Sequence, residues 1–252
     1  MAPHPYLEHE GPIAFAHRGG TSAAPENSLR AFADAVALGF TYLETDVHTT
    51  SDGILVAFHD NDLQRTCGEK RTIEGSTWDE LKSARLSGTD AIPLLDDLLD
   101  EFPNAKFNID CKADSALEPL IQKLKDRDCL DRVCIGSFSD KRLERVREEF
   151  GSSVCTSMGP REVAKLVARS ASHLPLPVTD HALLAQVPVS QGPIPVVTKQ
   201  FVRTAHSLGL QVHVWTIDDP IEIARLLDLD VDGIMSDDTR ALRDVFASRG
   251  LW

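Results

Sequence analysis

Eight short apolar runs alternate with segments of helical periodicity from one end of this chain to the other, and that alternation limits the fold more than any other feature. The runs span 13–17, 42–47, 106–111, 132–138, 154–158, 185–189, 211–217 and 233–236. Between them, Leu29, Phe32, Val36 and Phe40 fall on one helical stripe, as do Leu143, Val146 and Phe150. Asp219-Pro220-Ile221-Glu222 reads as an N-cap, a first-turn proline and a capping glutamate. Gly151 and Gly209 stand where helices end. Eight strands joined by helices in 252 residues predict an α/β fold, a single (β/α)8 TIM barrel spanning residues 1–252. An open doubly wound sheet is the rival, but no G-x-G-x-x-G fingerprint follows the first run.

One segment breaks the alternation. Residues 54–59 form a further apolar run, separated from the second by only the six residues His48 to Gly53. A parallel crossover needs a dozen or more residues, whereas Asp52-Gly53 is a hairpin turn signal. The second strand is therefore expected to pass the barrel rim, turn and return antiparallel, bringing His59 back near Asp46. Residues 61–92 then form a small loop-rich insertion, followed by a helix over 94–102.

Reacting groups of such a barrel gather at the C-terminal ends of its strands. Those ends carry His17-Arg18-Gly19-Gly20, Glu44 and Asp46, His59-Asp60, and Asp110 with Lys112. Residues two apart on a strand face the same side, so Glu44 and Asp46 point inward together, beside Asp110 on the next strand. Three converging carboxylates repel unless a cation joins them, and a hard, oxygen-preferring divalent ion such as Mg2+ or Ca2+ suits that donor set. Singly, each acid could instead be salt-bridged or cap a helix.

His17 and His59 flank the trio. Cleaving a phosphodiester requires one group to take a proton from the nucleophile and another to protonate the leaving alkoxide, and imidazoles suit both tasks. Arg18 and Lys112 are the local bases for phosphate oxygens, with salt bridges to the acids as the alternative use. Gly19 and Gly20 would let the backbone approach a phosphate. Trp215 either walls the pocket or is core. His4, His9, His48, His173, His181, His206 and His213 show no such grouping and read as structural.

The net charge of −13 disfavours extended contact with nucleic acid or an anionic membrane surface, though a local cation would still admit a small anionic substrate. Five cysteines without a Cys-x-x-Cys pair argue against a disulfide framework. Neither a signal peptide nor a membrane span is legible, and a cytoplasmic location is expected. The oligomeric state is left open.

The sequence resembles the glycerophosphodiester phosphodiesterase family over almost its whole length. His17-Arg18-Gly19-Gly20 with Pro25-Glu26-Asn27-Ser28 looks like the family's opening signature. Glu44-Thr45-Asp46-Val47, Thr50-Ser51-Asp52-Gly53 and His59-Asp60 match its second block, and Asn108-Ile109-Asp110-Cys111-Lys112 its third. Val214-Trp215-Thr216-Ile217-Asp218 and Val231-Asp232-Gly233-Ile234 match the close. The resemblance implies His17 and His59 as the acid/base pair, Glu44, Asp46 and Asp110 as metal ligands, and Arg18 and Lys112 as phosphate holders. It also implies hydrolysis of a glycerophosphodiester to sn-glycerol 3-phosphate and an alcohol, either through a cyclic glycerophosphate or by direct attack of water. Two departures stand out: Asp110 where the family often has glutamate, and Ile217-Asp218 where it commonly has valine-asparagine. Glu26 and Asn27 are expected to hold the first loop in shape. A phospholipase D-like or lysophospholipase D-like enzyme is the near alternative, and a non-catalytic barrel binding phosphorylated ligands is the alternative of another class.

Overall fold

A computed structural model describes residues 4–172, 177–179 and 181–252. Eight parallel strands form the barrel: β1 (Ile13–His17), β2 (Tyr42–Thr49), β3 (Lys106–Cys111), β4 (Val133–Gly136), β5 (Cys155–Thr156), β6 (Leu184–Val187), β7 (Gln211–Val214) and β8 (Gly233–Ser236). Their spatial order is β5-β4-β3-β2-β1-β8-β7-β6. A single parallel bridge between Ser157 and Leu184 closes the ring, so the seam between β5 and β6 is its thinnest joint. Outside lie α1 (Leu29–Ala37), α2 (Leu95–Glu101), α3 (Asp114–Asp126), α4 (Asp140–Phe150), α5 (Pro160–Ser172), α6 (Lys199–Ser207), α7 (Pro220–Leu227) and α8 (Thr239–Ser248).

Three strands begin and end where the apolar runs do. The runs over 132–138, 154–158 and 211–217 overshoot because Phe138, Met158 and Trp215 are apolar for another reason: they line the cavity beyond the ladders. The antiparallel return is present as Leu55–Ala57, paired Val47↔Ala57 and Thr49↔Leu55. Gly53 takes φ 84° at its turn. The insertion is more ordered than loop-rich implies. It has two one-turn helices, a short hairpin and its own apolar cluster, including Leu63, Ile73, Leu81 and Leu86.

Two expectations about helices fail in detail. Phe32 is fully buried, but Leu29 and Val36 are each 39% exposed; small Ala31 and Ala35 take the buried positions instead, which lets α1 lie close to the sheet. Asp219 does cap α7, accepting from Ile221 N at 3.0 Å, and Pro220 opens the helix. Glu222, however, pairs with Arg225 at 2.6–2.7 Å rather than reaching back to the cap. Gly151 and Gly209 end their helices with positive φ as expected.

Alternate strand residues face inward in layers. The floor is apolar, built from Ile13, Phe15, Tyr42, Cys134, Cys155, Leu184 and Met235 and plugged by Tyr6. Tyr42 Oη donates to the Tyr6 carbonyl at 2.6 Å, and Lys106 Nζ donates to those of Pro5 and Glu8 at 2.7 and 3.0 Å. His213 packs there against Phe15, ring centres 5.0 Å apart. A Cβ on Gly233 would meet both rings within 2.9 Å, which is why that position has no side chain. None of the five cysteines is in a disulfide. Among the described residues no helix is long and apolar enough to cross a membrane.

Candidate active site

A cavity of about 690 Å3 opens at the C-terminal ends of the strands, lined by His17, Arg18, Glu44, Asp46, His59, Asp110, Lys112 and Trp215 among others. All eight residues picked out from the sequence thus face one space. The parallel register explains it: His17 stands opposite Glu44, and Asp46 opposite Asp110. The return strand brings Phe58 N to Asp46 O at 2.9 Å and so delivers His59 to the rim.

The first loop is tightly wound, with Arg18 at φ 53° and Asn27 at φ 57°. Close packing by itself already requires glycine at positions 19 and 20. A Cβ on Gly19 would lie 2.8 Å from Phe32 N, and one on Gly20 2.7 Å from the Thr239 side chain. Asn27 and Glu26 hold the loop as expected. Asn27 Nδ2 donates to Asp46 Oδ2 at 3.2 Å and its Oδ1 accepts from Thr45 Oγ1 at 2.8 Å, while Glu26 Oε1 accepts from Arg18 Nη1 at 3.0 Å.

Both bases lie against the acids. Lys112 Nζ sits 2.8 Å from Asp46 Oδ1 and 2.7 Å from Asp110 Oδ2, and Arg18 Nε lies 3.2 Å from Asp46 Oδ2. Burial pushes the Asp46 carboxyl up, but Lys112 and Arg18 outweigh it and hold it below its ordinary value. Burial likewise pulls the Lys112 ammonium down, and Asp110 and Asp46 more than restore it. Glu44 is different: burial and the charge of Asp46 raise it to about 7 against the pull of His17, Lys112 and Arg18. Its Oε2 accepts from Arg18 N at 3.0 Å. For His17, burial favours the neutral ring, yet Glu44 (Nε2 to Oε2, 3.7 Å) and Asp237 raise it overall.

As the side chains lie, no group of three His, Cys, Asp or Glu residues among those described is gathered around a cation position; the Lys112 ammonium lies between Asp46 and Asp110 instead. The donors nevertheless fit a hard cation in kind. Asp110 Oδ1 is buried with no hydrogen-bond partner, and burial and the charge of Asp46 raise Glu44, conditions that a cation among these acids would relieve.

A model of the glycerophosphoryl diester phosphodiesterase family matches residues 17–241. The chain belongs to that family. It is 41% identical to the "Probable glycerophosphodiester phosphodiesterase 2" of Mycobacterium tuberculosis, over 98% of this chain and 95% of that protein. Among solved structures it is similar to a glycerophosphodiester phosphodiesterase from Agrobacterium tumefaciens, with TM-score 0.75, 21% identity and coverage of 94% and 99% of the two chains. It is also similar to an Oleispira antarctica phosphodiesterase in complex with its product sn-glycerol-3-phosphate, with TM-score 0.79, 21% identity and coverage of 94% and 97%.

The structure of this family member also shows contacts that the sequence reading did not draw. Asp237 Oδ1 lies 2.7 Å from His17 Nδ1, 220 positions away in the chain. Its loop is held by Asp218, one of the two departures from the family pattern, whose Oδ1 accepts from Asp237 N at 2.8 Å and Ser236 Oγ at 2.8 Å. Asp60 Oδ1 lies 2.6 Å from His59 Nδ1. Burial raises Asp60, but Arg65 and His59 hold it at about 2. For Asp237 its place at a strand end was the available signal, and no local pattern paired it with His17; Asp60 stood beside His59 in the sequence, and only its contact was not drawn.

The opposite wall of the phosphodiesterase cavity was unforeseen as well. Met158, Val163, Val167, Val187, Ile194 and Val196 line it, with Phe138 at the rim. Phe138 stands edge-on to Trp215 at 5.7 Å, so Trp215 walls the pocket, and Lys112 Nζ lies 5.7 Å over the Phe138 ring. Of the histidines read as structural, His48 braces the His59 carbonyl at 3.1 Å, His206 pairs with Asp232, and His173 lies outside the described residues.

Proposed function

We propose that the chain hydrolyses glycerophosphodiesters to sn-glycerol 3-phosphate and an alcohol, with a divalent ion held by Glu44, Asp46 and Asp110 and with His17 and His59 as the acid/base pair. The observation that carries this reading is the pair of carboxylate–imidazole contacts, Asp237 to His17 and Asp60 to His59, at one cavity mouth that also holds three acids. A carboxylate on Nδ1 fixes the ring and leaves Nε2 for proton transfer. The flanking of His17 by Glu44 and Asp237 favours its charged form and supports assigning it the first protonation of the leaving alkoxide, with His59 as base toward the nucleophile. The bound ion would supply Lewis acidity toward a phosphate oxygen and the glycerol hydroxyl. Arg18 offers a fork to the phosphate, and Lys112, which lies on Asp46 and Asp110, would offer it a point charge where those acids hold a cation instead.

A second reading has its own support. The aliphatic wall opposite the charged groups exceeds what a small polar alcohol needs, so a lysophospholipase D-like preference for diesters carrying a long apolar group is the alternative. Glycerophosphocholine, glycerophosphoethanolamine and lysophosphatidylcholine should be assayed metal-free and with Mg2+, Ca2+ and Mn2+. Ion-dependent release of sn-glycerol 3-phosphate is expected. No turnover of any diester with any ion would overturn the proposal, and turnover of the lysolipid alone would favour the second reading.

A further inference from the structure

Arg65 stands in the insertion, on the one-turn helix Gln64–Cys67, with its side chain half exposed. Its guanidinium is nonetheless shared between two carboxylates. One edge closes on Glu26, Nη1 to Oε2 at 2.7 Å and Nη2 to Oε1 at 2.6 Å. The other closes on Asp60, Nε to Oδ2 at 2.7 Å and Nη2 to Oδ1 at 3.2 Å. Each carboxylate in turn holds a residue at the cavity mouth: Asp60 holds His59 Nδ1 at 2.6 Å, and Glu26 holds Arg18 Nη1 at 3.0 Å. One planar cation from outside the barrel therefore joins the imidazole on the return strand to the guanidinium on the first loop.

We propose that Arg65 is a positioning residue, which sets the ring of His59 through Asp60 and the reach of Arg18 through Glu26, and so makes the insertion part of the catalytic unit. The inference rests on the hydrolytic reading above. Its physical basis is the fork. Asp60 alone can rotate about its side-chain bonds and carry the His59 ring with it, whereas a bidentate partner fixes the carboxylate plane. A lysine offers one point charge and cannot hold two carboxylates in fixed planes. Exposed ion pairs add little to folding stability, so a loss of turnover without a matching loss of stability separates positioning from structure.

The test uses the full chain carrying Arg65→Ala, Arg65→Lys, Asp60→Asn and the Asp60→Asn/Arg65→Ala pair, assayed on glycerophosphocholine with Mg2+. Arg65→Ala should lose about 10–100-fold in kcat/KM, shared between kcat through His59 and KM through Arg18, with an unfolding midpoint close to the parent's. Arg65→Lys should recover only part of this loss. In the Asp60→Asn background the alanine change should act on kcat far less than it does alone. Methylguanidinium should restore kcat to Arg65→Ala where sodium chloride of equal strength does not. Parental turnover in Arg65→Ala, additive effects on kcat, or a loss that tracks destabilisation and resists rescue would each overturn the proposal. Should the parent itself hydrolyse no diester, the hydrolytic reading fails. The placement of His59 is then read from its ring nitrogen resonances, which should shift in Arg65→Ala and whose constancy would overturn the role of Arg65.

Discussion

On the β1–β3 side of the mouth, His17, Arg18, Glu44, Asp46, His59, Asp110 and Lys112 crowd into one space; on the β5–β7 side Met158, Val163, Val167, Ile194 and Val196 face that space without a charge among them. The charged side is over-determined. His17 is held by Glu44 and Asp237, Asp46 by Asn27, Arg18 and Lys112, and His59 by Asp60. Directional, charge-assisted contacts of this kind fix positions closely. The apolar side makes no directional demand and discriminates by size and hydrophobicity alone, a weaker form of selection. On the reading proposed above, the reaction type would be a property of one wall and the preferred alcohol a property of the other.

The sharpest way to break that division is His59→Ala. It should fold as the parent does and lower kcat by about 10²–10⁴-fold, measured as release of sn-glycerol 3-phosphate. Parental activity would remove His59 from the acid/base pair. Asp237→Asn should cost about 10–100-fold, because His17 loses the carboxylate charge on Nδ1. It should also move the high-pH limb of kcat/KM to lower pH, since Asp237 raises His17 and its removal lets the proton leave earlier. A limb that stays in place would mean that another group is the acid.

On the other wall, Ile194→Ser should lower the ratio of kcat/KM for lysophosphatidylcholine over glycerophosphocholine by about threefold to tenfold. An unchanged ratio would mean that this wall does not meet the alcohol. An effect of another kind, on stability rather than turnover, lies beneath both walls. Burial holds His213 at about 3 against an ordinary value of 6.5, so the folded state resists its protonation. Its contribution is full above pH 6.5 and is lost as pH falls toward 3, at roughly 1.4 kcal/mol per unit. Denaturant titrations at pH 5 and 6 should show a shallower pH slope in His213→Leu than in the parent; equal slopes would assign the acid sensitivity elsewhere.

Much of the charged wall was legible because its parts lie close in sequence to strand ends. The spacing of Glu44 and Asp46, the six-residue hairpin and the Asp110–Lys112 step each follow from strand periodicity or chain reach. The pairings of Asp237 with His17 and of Arg65 with Glu26 were not legible, since they join loops 220 and 39 positions apart. Nor was the apolar wall, because Phe138, Met158 and Trp215 read as strand continuations until the ladders are seen to stop short of them.

By itself the sequence determined the eight strands, the antiparallel return and the charged residues that face the mouth, because side-chain alternation and chain length are local constraints. The tertiary structure alone decided which carboxylate steadies each histidine, that Lys112 lies between Asp46 and Asp110, and that half of the cavity is apolar. Those outcomes depend on distances between loops that only the closed barrel brings within hydrogen-bond reach.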